Sequence, residues 1–170
     1  MEAARAATTA DLPRLADLVR GVTAELEITR GGAVWRSRES RQEPIEASLE
    51  KLLSDPKGRL LAATIDDVIV GYAAAHIERL ADGSRLGVVD DIYVEEGARG
   101  VGLGEAMMDV LVSWCETEGC IGMDAMALPG HRHTKNFFEE SGFTARQLIM
   151  HKPMPPAAPA IRVEALGDEA

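Results

Sequence analysis

The fold turns on one stretch: Val88-Val89-Asp90-Asp91-Ile92-Tyr93-Val94, a short connection, then Arg99-Gly100-Val101-Gly102-Leu103-Gly104. The first part is β-branched and aromatic apart from its two aspartates, and reads as a strand over residues 86–94. After the glycines, Leu103, Met107, Val110, Leu111 and Trp114 follow the i, i+4, i+7, i+8, i+11 stripe of an amphipathic helix. Backbone N–H groups at a helix start have no intrahelical partners, and the helix dipole places roughly half a positive charge there. Glycines remove the Cβ atoms that would hold an anion away. Strand, glycine turn and helix together predict a pyrophosphate site. The spacing of Gly100, Gly102 and Gly104 is not the G-x-G-x-x-G dinucleotide fingerprint, and the Gly-Lys-Ser/Thr of a P-loop is absent. Taken alone, the segment leaves open a tight turn with no ligand.

Upstream, residues 5–8 read as a first strand. Thr9 then caps a helix carrying Leu12, Leu15, Leu18, Val19 and Val22. A polar stretch without a clear period, residues 27–43, holds Gly31, Gly32 and Trp35 and reads as a functional loop. Ile45, Leu49, Leu52 and Leu53 mark a short helix that stops at Asp55-Pro56-Lys57-Gly58. Residues 60–65 and 68–77 form a predicted hairpin around Asp66-Asp67, and Ala81-Asp82-Gly83-Ser84 makes a second turn. Downstream, the sequence predicts a strand over 121–128, a helix over 132–140 stopped by Gly142, and a last strand over 143–154. The expected fold is α/β (α+β): a mixed sheet with helices on its faces. One domain covers residues 1–154, and the Pro/Ala-rich tail 155–170 is expected to be disordered.

Composition bounds the function. The chain has 170 residues, 46% of them hydrophobic, enough for one domain that buries roughly 70% of the surface its unfolded form exposes. A net charge of −10 opposes binding to nucleic acid and to anionic lipid. No apolar run reaches the roughly 20 residues of a membrane span, and the N-terminus lacks a signal-peptide core, so a cytoplasmic location is expected. Cys115 and Cys120 have neither metal-site spacing nor a disulfide framework; both read as small hydrophobes, and no metal is expected.

The segment Asp90-Asp91-Ile92-Tyr93-Val94 followed by R-x-x-G-x-G at Arg99, Gly102 and Gly104 resembles the acetyl-CoA motif of the GNAT acetyltransferases. About forty residues on, Phe137-Phe138-Glu139-Glu140-Ser141-Gly142-Phe143 is similar to that family's second signature, a helix running into a Gly-Phe-led strand. The resemblance covers residues 60–153. It implies a mostly antiparallel sheet with a V-shaped opening between the strand ending at Val94 and the strand beginning at Ile121. Acetyl-CoA is then the co-substrate. Pantetheine would pair with the backbone of Ile92 and Val94, and the pyrophosphate would meet the N–H groups of Arg99, Gly100, Val101, Gly102, Leu103 and Gly104. The Arg99 side chain is either a further contact or a solvated charge.

The implied reaction is N-acetylation of a primary amine by direct attack through a tetrahedral intermediate. Deprotonating a lysine-like ammonium, pKa about 10.4, at neutral pH costs on the order of 4.6 kcal/mol, which a carboxylate base can offset. Asp90 and Asp91 are the candidates. On a regular strand they face opposite sides, and Asp90 shares its parity with Ile92 and Val94. The Val94 N–H is a candidate oxyanion donor. Many relatives carry a tyrosine acid four residues before the Gly of Gly-Phe and an asparagine seven residues earlier; here these are Phe138, which lacks a hydroxyl, and His131. His131 is thus a candidate proton donor and cofactor contact, and Phe138 retains a contact position. A thiol of pKa about 8.5 leaves adequately without an acid. His133, His76, Lys135 and Tyr93 read as surface, strand or wall residues.

By the same resemblance, the first two helices and their connection wall the acceptor pocket, with Glu25, Glu27, Gly31, Gly32, Trp35 and Arg36 there and Glu27, Trp35 and Asp90 as substrate contacts. Trp35 suits either a cation-binding lid or a packed edge. The expected partner is a small or amino-acid-like amine, with a homodimer open. The alternatives are a protein lysine or N-terminal acetyltransferase and a catalytically weak acetyl-CoA sensor.

Overall fold

The computed structural model describes residues 1–156. Its elements are β1 (Glu2–Ala6), α1 (Leu12–Glu27), α2 (Gly32–Arg38), α3 (Ile45–Ser54), β2 (Gly58–Ile65), β3 (Val68–Arg79), β4 (Arg85–Val94), α4 (Leu103–Thr117), β5 (Met123–Ala125) and α5 (Arg132–Glu140). The five strands form one sheet in sequence order, antiparallel except for the parallel pair β4–β5. The expected mixed, mostly antiparallel α/β fold is therefore present.

Alternation along β2 and β3 sorts the core into two layers. Leu60, Ala62, Tyr72 and Ala74 pack with Leu12, Leu15, Val19 and Leu49 of α1 and α3. Leu61, Ala63, Ala73, Ala75 and Ile77 pack on the opposite face with Leu103, Met107, Leu111 and Trp114 of α4. Alanine dominates the middle of β3, so helices approach both faces closely. Asp66 and Asp67 close the β2–β3 hairpin with positive φ at both positions, as a twist-matched two-residue turn requires.

Five expectations are corrected. The first strand lies earlier, at Glu2–Ala6, paired with β2. Thr9 does not cap the helix: it opens a short 3-10 turn, Thr9–Asp11, capped by Thr8, and Asp11 is the N-cap of α1. The Asp11 carboxylate accepts from the Thr8 N–H at 2.7 Å and from the Thr8 hydroxyl at 3.0 Å. The stretch 27–43 is not a plain loop, because α2 lies within it. Gly31, at φ +84°, turns the chain into α2, and Gly32 lies so close to the end of α1 that a Cβ there would meet the Leu26 carbonyl. Seven residues are too few for a helical period to stand out.

The strand over 121–128 shrinks to β5, because β4 leaves it after three paired residues. The strand over 143–154 does not form. Residues 143–156 have no regular secondary structure, and Leu148, Ile149 and Met150 are exposed. The segment is tied to β5 by an Arg146–Asp124 ion pair, but the short β5 supplies no ladder for it. The tail expected to be disordered, 155–170, lies almost wholly outside the described residues.

Candidate active site

β4 carries the site because its register breaks there. Val89 pairs with Ala75 and Asp91 with Ala74, so Asp90 is an extra residue without a partner on β3. This bulge coincides with the last β4–β5 pair, Val89 with Ala125. Among the described residues, β4 has a neighbour on one side only from Asp90 onward, and this is the V-shaped opening.

The bulge overturns the parity argument. Asp90 and Asp91 do not face opposite sides: one guanidinium reaches both, with Arg41 Nε donating to Asp91 at 2.7 Å and its Nη2 at 3.8 Å from Asp90. Asp90 is correspondingly not grouped with Ile92 and Val94, which pack toward α4. Bulges shift a side chain in this way by placing two residues opposite one.

The two carboxylates have different surroundings. Asp91 is 13% exposed and Arg41 14%. Burial pushes the Asp91 carboxyl up from its usual range, and Arg41 pulls it back. A second Arg41 donor reaches Ser48 of α3 at 3.1 Å. Asp90 instead accepts from His76 Nδ1, 2.9 Å from Oδ1 and 3.0 Å from Oδ2. The hydrogen bond to Asp90 raises the imidazole pKa, and Glu78, 3.3 Å from Nε2, adds to it. Sequence reading missed Arg41, which lies in a polar connection; His76 is the half-buried strand residue that was expected, and only its bond to Asp90 was not foreseen. No signal in the sequence pairs them with the aspartates.

Beyond the bulge, regular alternation returns. The Glu95 N–H donates to Val70 on β3 at 2.9 Å. Backbone groups alternate sides along a strand, so those of Ile92 and Val94 point into the opening. The Val94 carbonyl there accepts from Arg99 Nε at 2.8 Å.

The chain then passes through a short turn, Glu96–Ala98, into the glycine segment. Gly100 and Gly102 have φ of +82° and +86°, and Gly102 is the N-cap of α4. A Cβ on either would meet nothing within 4 Å. Among the described residues, the N–H groups of Gly100, Val101 and Gly102 have no protein acceptor, nor have those of the first turn of α4. Gly104 has a different role: a Cβ there would lie 3.1 Å from the Phe137 ring, so this glycine seats α5 against α4. A cradle of free donors, continuous with an unpaired strand edge, fits a phosphate-bearing, amide-containing ligand such as acetyl-CoA.

The Arg99 side chain turns away from the cradle. It reaches Glu25 of α1, with Nη2 3.2 Å from both carboxylate oxygens, and lies over the Tyr93 ring at 5.6 Å. His131, the residue that caps α5, brings Nε2 to 3.9 Å from the same carboxylate. Glu25 is thus the acidic residue of α1 that the fold brings to the opening. Glu27 is exposed at the end of that helix. Trp35 is half-buried on α2, whose leading turn packs near Leu128 and Pro129. Phe138 is buried in a cluster with Phe137 and Phe143, ring centroids 5.6 and 5.4 Å away. Cys115 is buried, its thiol pushed up to about 12 by desolvation, in keeping with a packing role. Among the described residues no helix is long and apolar enough to cross a membrane.

Known structures share this architecture. BH1408 protein from Bacillus halodurans, as a tetramutant, superposes with a TM-score of 0.78 at 20% identity, over 89% of this chain and 99% of its own. A ribosomal-protein-alanine N-acetyltransferase from Brucella melitensis biovar Abortus 2308 gives 0.67 at 21% identity, over 91% and 100%. An aminoglycoside acetyltransferase from an uncultured soil metagenomic sample, in complex with sisomicin, gives 0.68 at 17% identity, over 91% and 95%. Among curated proteins no sequence match was found. The sequence pattern of the Acetyltransferase (GNAT) family matches residues 25–143, from Glu25 on α1 through the glycine turn to Phe143, and the chain belongs to that family of acetyltransferases.

Proposed function

We propose that the chain transfers acetyl from acetyl-CoA to the primary amine of a small, cationic or amino-acid-like acceptor. The observation that carries this reading is the continuity of two surfaces: the open-side backbone of Ile92 and Val94, whose Val94 carbonyl is held only by the Arg99 side chain, and the free N–H donors from Gly100 to Gly104. The first would hold the pantetheine arm and the second the pyrophosphate. When bound, acetyl-CoA supplies an activated acyl carbon.

The chain's own groups then act on the acceptor. Asp90, at the vertex of the opening, takes the ammonium proton, directly or through water. Asp91 is held by Arg41 and anchors the bulge. The Val94 N–H faces the opening, where an oxyanion would develop. His131 replaces the hydroxyl that Phe138 lacks as proton donor to the departing thiolate. Glu25, the acidic surface and a net charge of −10 favour a cationic acceptor. The named acceptors of the structural neighbours, an aminoglycoside and a ribosomal protein's alanine, are both amines, one small and one peptidic.

The test is a screen of polyamines, amino acids, aminoglycosides and alanine-led peptides, following free thiol and identifying the product by mass. Acetylation of a free amine is expected. Peptides outperforming free amines would replace the small-acceptor reading. Background thiol release with every amine, while coenzyme A still binds, would leave a binding domain instead.

A further inference from the structure

Glu25 and Arg99 meet at the mouth of the opening, and the role inferred for them rests on the acetyl-CoA reading above. One guanidinium does two things at the mouth of the opening. Its Nε caps the Val94 carbonyl at 2.8 Å, the last open-side acceptor of β4. Its Nη2 lies 3.2 Å from both oxygens of Glu25. The Glu25 side chain is only 35% exposed and sits beside Tyr93, whose hydroxyl is pushed up in pKa by burial and then by this carboxylate. From the far wall, His131 approaches the same carboxylate.

A ligand that pairs with β4 as an added strand donates to the Val94 carbonyl, where it competes with Nε. Displacing Nε draws the planar guanidinium off Glu25 as well, because the fork is rigid. A half-buried carboxylate would then face the opening without its cation. The group best suited to replace the guanidinium is a second cation of similar reach, an ammonium. We propose that Glu25 is the cation-recognition residue for the amine acceptor, and that the Arg99 side chain occupies its place until the cofactor takes the Val94 carbonyl. Filling one subsite therefore favours filling the other, and the coupling is reciprocal.

Titration calorimetry tests this without turnover, with coenzyme A as cofactor probe and spermidine as cation probe. In the unaltered protein, spermidine binding should be at least fivefold tighter in the presence of saturating coenzyme A. Glu25→Gln should tighten coenzyme A two- to fivefold and abolish the coenzyme A-dependent gain for spermidine. Arg99→Met, which keeps the backbone of the turn, should give spermidine affinity that no longer depends on coenzyme A. Coenzyme A affinity unchanged or weakened in Glu25→Gln would overturn the latch. Spermidine binding equally with and without coenzyme A, or binding in neither state, would overturn the recognition role. Failure of coenzyme A to bind the unaltered protein would instead remove the acetyl-CoA reading, and this proposal with it.

Discussion

Arg41 and Asp91, fifty residues apart in sequence, meet at 2.7 Å beneath the point where β4 leaves β5. The pair fixes the connection between α2 and α3 onto the bulge. Removing one partner of such a pair leaves the other charge desolvated. Arg41→Met is expected to destabilise the protein by about 3 kcal/mol, at the low end for a buried pair because both side chains keep some exposure. Urea unfolding measures it. Adding Asp91→Asn to that variant should recover part of the loss, and strict additivity would show that the two residues act separately.

His76 and Asp90 give a pH signature. The hydrogen bond to Asp90 raises the His76 pKa above its ordinary 6.5. A raised folded-state value means that the pair's stabilisation is fully present below about pH 6.5 and fades as pH rises through the folded pKa. The groups facing this ring are Asp90, Glu78 and, beyond Asp90, Arg41. An NMR titration of the His76 ring should show the raised value, and Asp90→Asn should bring it down. A value that does not move in that variant would separate His76 from Asp90.

How much of this was legible beforehand follows from the range of each signal. The glycine turn and the stripe of α4 are local patterns; the turn stands where the sequence placed it, and of the stripe Leu103, Met107, Leu111 and Trp114 are buried while Val110 is exposed. The bulge was invisible, since an extra residue in a strand shows only against its partner. A parity argument across Asp90 therefore misplaced its side chain. Arg41 was hidden for the same reason, and Glu25, expected on the pocket wall, was not foreseen as the partner of Arg99: these roles depend on contacts across fifty and seventy-four residues. Glu25 and Glu27 are indistinguishable by composition. Helix phase separates them, turning the first toward Arg99 and leaving the second in solvent. The apolar run at Leu148-Ile149-Met150 carried a strand signal, but a strand also needs a neighbouring edge long enough to pair with.

Arg5 and Asp11 should govern the acid limb of stability. Two guanidinium donors at 2.7 and 2.9 Å, aided by Thr8, hold the Asp11 carboxyl well below the usual range. A depressed folded-state value gives stabilisation that is present above about pH 3.8 and lost as pH falls through the folded pKa. Asp11→Ala should cost about 1 kcal/mol near neutrality, the scale of a lost helix cap, and should flatten stability against pH below 4. Thermal melts across that range are the measurement. An unchanged acid limb would place the responsible carboxylate elsewhere.

Tyr72 is fully buried, and its hydroxyl has no partner among the described residues. A desolvated hydroxyl that bonds to nothing opposes folding. Tyr72→Phe removes the oxygen and keeps the ring, so stability should rise by about 1 kcal/mol in chemical denaturation. A fall would mean that the oxygen holds a water or a ligand group in solution.

Gly102 separates strain from binding. Its φ of +86° penalises any side chain by about 1–2 kcal/mol, yet a Cβ there meets open space. Gly102→Ala and Gly102→Glu should therefore lose similar stability, since neither side chain clashes with the protein. Their effects on coenzyme A should diverge. Alanine adds one methyl to the cradle, whereas glutamate brings a carboxylate against the free N–H groups that the phosphates need. Affinity should fall modestly in the first variant and by more than tenfold in the second, with the loss in Gly102→Glu partly relieved at high salt, where charge repulsion is screened. Equal losses in both variants, at equal stability, would mean that backbone strain at the turn governs binding and that the phosphates do not lie on these donors.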